Sequence, residues 1–367
     1  MKIRKFKAEN FRNIEKCELD FSDGVNLLYG NNAQGKTNAI EGIYMFSRGR
    51  SFRLSEDKEL VRFGADGFRI YLEYESKDGI GTLEYASFGR EKLKKKNGYK
   101  VSKMADFISS FKSVLFFPDN LELVKDGPEM RRAFLNVALS QCSAVYIANY
   151  SRYKQSLENR NALLKSASKG LYVDRGELES WSAVMAESAS YIYKERMEYI
   201  ERLSPHVMRI ASELSEDKER VELIFKSDID EPARDIEQIK EKYTEIFTRN
   251  LEKEMMAGTS LYGPHRDDIL INVNGISARV YASQGQQRSI VLAIKLAEGE
   301  VIREIFGEEP VYLFDDVLSE LDEKRRRYVI CGMQDRQIVI TSCQGDDFSF
   351  ADKVIRVEGG EYVSSHR

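Results

Sequence analysis

The 367-residue chain is poor in the residues that build disulfide, metal and membrane proteins. Its four cysteines, Cys17, Cys142, Cys331 and Cys343, lie far apart and form no CxxC pair. That argues against a disulfide framework or a thiolate zinc site and fits a reducing compartment. Three histidines, His206, His265 and His366, are too few and too scattered for a histidine metal centre. Six prolines and 24 glycines exclude collagen-like and low-complexity chains. No apolar run approaches the roughly 18 residues that span a bilayer. The start, Met1-Lys-Ile-Arg-Lys-Phe-Lys7, reads as a strand with no apolar signal segment behind it. A soluble, cytoplasmic protein is expected. Neither sign of charge prevails: 56 basic against 60 acidic residues leave −4. Any binding of nucleic acid must therefore rest on local patches. At 42% hydrophobic residues the chain can bury a sizeable core, and its length suggests two or three domains.

The first 117 residues read as β-rich. Val25–Tyr29, Ile70–Tyr74 and Leu83–Phe88 carry strand residues, Lys77-Asp-Gly79 a turn, and Asn97-Gly98 the strongest short hairpin signal. The character then changes. Tyr146, Tyr150, Tyr153, Leu157 and Leu164 keep helical spacing, as do Met185, Ala189, Ile192, Tyr199, Leu203, Val207 and Ile210 after a break at Lys169-Gly170. Two long, antiparallel amphipathic helices are predicted, the second kinked or ended by Pro205. A third is predicted over Ile236–Met255. From 260 onward strand and helix alternate: Ile269–Val273, Gln286–Phe306, Val311–Phe314 and Gln337–Thr341. The expected architecture is an α/β head assembled from 1–128 and 257–367, with a helical lobe, 129–256, inserted.

Gly30-Asn31-Asn32-Ala33-Gln34-Gly35-Lys36-Thr37 fits G-x-x-x-x-G-K-[ST]. In such a loop successive N–H groups cradle phosphate oxygens, the lysine reaches the terminal phosphates and the hydroxyl ligates Mg²⁺. An apolar strand before it and a helix after it supply the context, and the helix N-terminus adds its positive end. Val311–Phe314 is a buried strand closing on Asp315 and Asp316. Beside a phosphate loop, Asp315 would serve the Mg²⁺ shell and Asp316 would orient the attacking water. Ser283-Gln-Gly285-Gln286, opening the helix before that strand, forms a second anion-binding cap.

These motifs, in this order and around a long insertion, resemble the ABC-type ATPase heads of SMC-like DNA-repair proteins, and most closely the RecF family of bacterial recombination mediators. The resemblance also runs through Phe11-Arg-Asn13, Gly49–Arg53, Phe117-Pro-Asp119, Gly263-Pro-His-Arg-Asp-Asp268, Tyr281–Arg288 and Ser319-Glu-Leu-Asp322. It implies an ABC-type P-loop fold, with a mixed sheet and an antiparallel β subdomain. It also implies an ATP-dependent head-to-head homodimer in which Ser283 and Gly285 cap the γ-phosphate held by the opposite subunit, and Asp322 crosses the same interface. Arg12 and Asn13 are placed near the adenine or ribose. Implied too are recombinase loading on gapped or junction DNA, replication restart, the SOS response, and RecO and RecR as partners.

The chain departs from the transporter-type pattern. Gln284 replaces the first signature glycine, and Asp316 stands for the usual glutamate. Thr341 or Ser342 takes the place of the switch histidine. No glutamine occurs between Gln34 and Gln141, so Asp119 or Asn120 would have to substitute for the glutamine-loop ligand. Slow hydrolysis, suited to a timing switch, is expected. For DNA, Lys92, Lys94, Lys95, Lys96 and Lys100 crowd a hairpin, although lysines on a sheet edge also serve to prevent strand pairing. Arg131-Arg132 and Arg325–Arg327 read mainly as solvated helix faces, and His265–Asp268 as a hydrogen-bonded knot. An ABC-type cassette driving a transporter or another assembly is the alternative; a GTPase would need an Asn-Lys-x-Asp motif, and there is none.

Overall fold

The computed structural model describes residues 1–53, 56–317, 321–333, 335–343 and 348–365. Strand β1 (Lys2–Phe11) turns into β2 (Ile14–Asp20), and β3 (Val25–Tyr29) leads through the phosphate loop into α1 (Lys36–Arg48). After α2 (Asp57–Leu60) come β4 (Gly67–Ser76), β5 (Gly79–Phe88), β6 (Glu91–Lys96), β7 (Tyr99–Lys100), α3 (Met104–Ile108), β8 (Ser113–Phe116) and α4 (Glu122–Lys125). The middle of the chain carries α5 (Pro128–Cys142), α6 (Ala144–Ala167), α7 (Arg175–Ser215), β9 (Val221–Lys226), α8 (Ile236–Arg249) and α9 (Leu251–Ala257). Next come β10 (Asp268–Val273), β11 (Ile276–Ser277) and α10 (Ala278–Tyr281). The remainder is α11 (Gln284–Phe306), β12 (Val311–Phe314), α12 (Glu323–Cys331), β13 (Ile338–Ser342), β14 (Lys353–Glu358) and β15 (Glu361–Ser365).

Two compact units result. One holds Met1–Glu122, His206–Arg220 and Ala282–Arg367; the other holds Leu123–Pro205 and Val221–Tyr281. Relative to the expected division at 129 and 256, the second unit begins earlier, extends to Tyr281 and excludes His206–Arg220.

The first unit contains two six-stranded sheets. The core sheet runs β15-β14-β3-β13-β12-β8. Strands β14, β3, β13, β12 and β8 are mutually parallel, and only β15 is antiparallel. Parallel strands covered on both faces read as unbroken apolar runs, and β12 and β8 are buried along their whole length. The second sheet, β2-β1-β4-β5-β6-β7, is antiparallel and alternates. Phe6, Ala8, Ile70, Leu72, Leu83 and Tyr85 line its buried face. The Asn97-Gly98 turn between β6 and β7 takes positive φ at both residues, 51° and 81°, as a two-residue hairpin loop requires.

The second unit has the predicted long helices, and they are antiparallel. Tyr146 of α6 meets Arg196 of α7, while Arg160, further along α6, meets Ser182, earlier in α7. Three expectations need correction. Of the two outcomes expected at Pro205, a kink or an end, the end does not occur: α7 continues to Ser215, because apolar residues beyond the proline, Val207, Ile210 and Leu214, stay buried on one face. The predicted helix 236–255 is two helices, broken at Asn250, whose side-chain amide donates back to the Ile246 carbonyl. Strand β9, unpredicted, pairs with β10 to give this unit a small sheet of its own.

Candidate functional site

The loop after β3 is shaped by close contacts. Gly35 caps α1 in a left-handed conformation (φ 112°) that favours glycine, and a Cβ there would stand 2.7 Å from Asn13 Oδ1 and push that side chain aside. Lys36 is buried, its ammonium donating to the Gly30 carbonyl and, at 3.0 Å, to that of Asn31. Asn31, Asn32 and Ala33 are exposed at the loop crest, with Ala33 at φ 64°. Gln34 fastens the loop to the β14–β15 turn: its carbonyl accepts from Gly360 N–H at 2.9 Å and its side-chain oxygen from Gly359 N–H at 2.6 Å.

The sheet order explains how the acidic strand reaches this loop. β13 lies between β3 and β12, so residues leaving the C-terminal ends of all three strands converge. Asp315 is buried, and the Thr37 side chain lies near enough to favour its charged form. It also accepts from Thr341 Oγ1 at 3.0 Å, and that same hydroxyl oxygen accepts from Asp316 N–H at 2.8 Å. Burial raises the Asp315 carboxyl above the ordinary carboxylate range despite both hydroxyls, and the charge of Asp316 adds to the rise. A hydroxyl and an adjacent carboxylate are hard oxygen donors of the kind Mg²⁺ selects, so this donor set fits the metal the motif implies. Asp316 itself takes left-handed backbone (φ 54°), an uncommon conformation for aspartate. Thr341 is therefore a buried clamp on the acidic pair, with Ser342 buried beside it.

Arg12 and Asn13 fall at the rim of the loop. Arg12 forms a two-pronged pair with Glu41 of α1, at 3.0 and 2.7 Å. Asn13 accepts from Asn38 and donates to the Gln34 carbonyl. Glu41 is wholly buried and also takes Ser51 and Arg53. Sequence reasoning missed this hub, and its only signal is an acid on the apolar face of α1. Arg53 further donates to Asn38 at 3.0 Å. Of the two suggested glutamine-loop substitutes, Asn120 spends its side-chain oxygen on Phe117 N–H at 3.0 Å, whereas Asp119 is exposed.

Ser283, exposed, caps α11: its hydroxyl accepts from Gln286 N–H, and the Gln286 side chain accepts from Ser283 N–H at 2.8 Å. A Cβ on Gly285 would meet nothing closer than 3.9 Å, so its outer side is open. Asp322 caps α12. Ser319 and Glu320 of that motif lie outside the described residues.

The lysine cluster does not form one patch. Strand alternation puts Lys92, Lys94 and Lys96 on one face of β6 and Lys95 on the other, opposite Lys100 of β7. Lys92 pairs with Asp57 and Lys95 with Glu84. Nor are the arginines simply solvated. Arg131 is buried in a two-pronged pair with Asp268, and Arg132 donates to the Asp267 carbonyl. His265 sits between Tyr153 and Ser260. The Ser260 carbonyl can only accept, so His265 Nε2 carries the proton and Tyr153 donates to Nδ1. Burial lowers the imidazole to about 4, so it is neutral near pH 7.

Comparison with known proteins agrees with this geometry. The family model "RecF/RecN/SMC N terminal domain" matches residues 2–365. The DNA replication and repair protein RecF of Bacillus velezensis is 36% identical over 370 residues, covering 99% of this chain and 100% of that protein. That of Clostridium novyi is 37% identical, covering 93% of this chain and 92% of that one. Among solved structures, the recombination mediator protein RecF-ATPrS in the RecFOR pathway superposes with a TM-score of 0.93 at 34% identity, covering 99% of this chain and 97% of that one. An Smc head domain from Pyrococcus furiosus shares the fold at a TM-score of 0.58 and 18% identity, covering 100% of this chain and 96% of that one. Similarity to RecF over the whole length, in sequence and in backbone, has one conclusion: the chain belongs to the RecF family, on an ABC-type ATPase head fold.

Proposed function

We propose that this chain is a recombination-mediator ATPase whose ATP-bound form is a head-to-head dimer on DNA. One observation carries the reading: the fold brings Thr37 of the phosphate loop to the buried Asp315 of the acidic strand, where it acts on that carboxyl, while Ser283 of the cap is exposed. Gly30, Asn31, Asn32, Ala33, Gln34 and Gly35 would cradle the phosphates, with Lys36 turning from its loop carbonyls to the terminal phosphate. Thr37 and Asp315 would hold Mg²⁺, which when bound neutralises phosphate charge. Asp316 would orient the attacking water as general base. Ser283, Gly285 and Gln286 would be offered to the nucleotide of a second copy, so that the terminal phosphate is the group both copies contact.

Within this reading hydrolysis is slow, because an aspartate in strained backbone replaces a longer glutamate and no histidine assists. RecO and RecR as partners, gapped or junction DNA as the substrate, recombinase loading, replication restart, the SOS response and a cytoplasmic location belong to the same proposal. Support comes from the full-length similarity to RecF proteins. Sedimentation of wild type and Lys36→Ala with ATP, with and without gapped DNA, tests it. The wild type should dimerise only with ATP and Lys36→Ala should not; nucleotide-independent monomers throughout would remove the proposal.

A further inference from the structure

Arg325 lies three residues after Asp322 and was read from the sequence as a solvated helix charge. In the structure it is mostly enclosed and spends both edges of its guanidinium. One edge pairs with the Asp322 carboxylate, which also accepts from Arg325 N–H to cap α12. The other donates to Ser289 Oγ from Nη2 at 2.6 Å and from Nε at 2.9 Å, and to the Gly285 carbonyl at 3.2 Å. Ser289 is buried in the second turn of α11, and its hydroxyl also reaches the Gly285 carbonyl.

We infer that Arg325 is a positioning residue that locks Asp322 and the Ser283–Gly285 cap into one rigid block, so that both are presented to a second copy together. The inference rests on the dimer reading above. A planar fork is needed, because the two acceptor sets lie on opposite sides of one group; an ammonium cannot serve both with the same geometry. Arg325 touches neither the phosphate loop nor Asp315. Its loss should therefore leave nucleotide binding by the single chain intact and act on association alone. Without the bridge, two exposed elements must be ordered at the moment of contact, and that cost falls on dimer affinity.

The test is sedimentation with ATP, alongside nucleotide affinity measured at dilutions where wild type is monomeric. Arg325→Ala and Arg325→Lys should bind ATP as wild type does, yet dimerise at least about 10-fold more weakly. Their hydrolysis per chain should recover at high protein concentration, which a damaged pocket would not allow. Ser289→Ala keeps the arginine and removes one acceptor. It should weaken dimerisation in the same direction, and its effect should vanish in the Arg325→Ala background. If wild type dimerises and all these variants match it, the bridge is overturned while the dimer reading stands. Equal loss of monomer ATP binding in Arg325→Ala and Ser289→Ala would also overturn it. Wild type that never dimerises removes the underlying reading and the inference with it.

Discussion

The Thr37 side chain acts on the buried Asp315 carboxyl, lowering its pKa against the rise that burial imposes, although 278 positions of sequence separate the two (315 − 37). The strand order β3-β13-β12 makes this possible by setting one strand between the two that carry the motifs. Because burial makes the charged form of Asp315 the costly one, a neutral isostere should be tolerated by the fold. Asp315→Asn is expected to change stability by no more than about 1 kcal/mol. Hydrolysis should fall about 100-fold or more, since the charge serving the phosphate site is gone. Thermal unfolding and phosphate release check the two halves separately.

Gly299 of α11 lies against Tyr312 of β12, so that a Cβ on the glycine would stand 1.9 Å from the tyrosine hydroxyl oxygen. Gly299→Ala should therefore destabilise by about 1–3 kcal/mol through overpacking. Among the described residues the buried Tyr312 hydroxyl has no hydrogen-bond partner. Tyr312→Phe alone should then be neutral or slightly stabilising, and should recover part of the loss in the double variant. Denaturant midpoints with unchanged m-values decide it.

Much of the first unit could be read from local pattern. The phosphate loop, the apolar strand ending in Asp315 and the Asn97-Gly98 hairpin each carry their instruction within a few neighbouring residues. Other features had no such instruction. Arg131 and Arg325 look alike in sequence to exposed arginines such as Arg327, and only partners remote in the chain, Asp268 and Ser289, distinguish them. Glu41 is an acid on an apolar helix face until Arg12 and Arg53 arrive from elsewhere. Pro205 lowers helix propensity locally, yet burial of the flanking apolar face overrides it.

His265 supplies a pH dependence of known sign. Its ordinary value of 6.5 is lowered to about 4 by burial. Between those values the unfolded chain binds the proton first, so stability falls as pH drops from 6.5 toward 4 and is flat above 6.5. The effect is bounded at about 3 kcal/mol. Wild type minus His265→Asn, measured by denaturation across that range, should show the slope and lose it above pH 6.5.

Charge reversal separates the two faces of β6. Lys94 and Lys96 lie on the face opposite Lys95, which pairs with Glu84. The pair of substitutions Lys94→Glu and Lys96→Glu should weaken DNA binding and lower the salt slope by about two. Lys95→Glu should do markedly less. Equal effects in a salt titration would remove this assignment.

Cys343 offers a direct probe of which polypeptide completes the site, because its thiol lies 3.9 Å from Lys36 Nζ, at the phosphate loop. With Ser283→Cys, a short thiol crosslinker should join residue 283 of one chain to Cys343 of another, only with ATP, and not after Cys343→Ser. A product linking the two positions within a single chain, with no crosslinked dimer, would contradict the shared site.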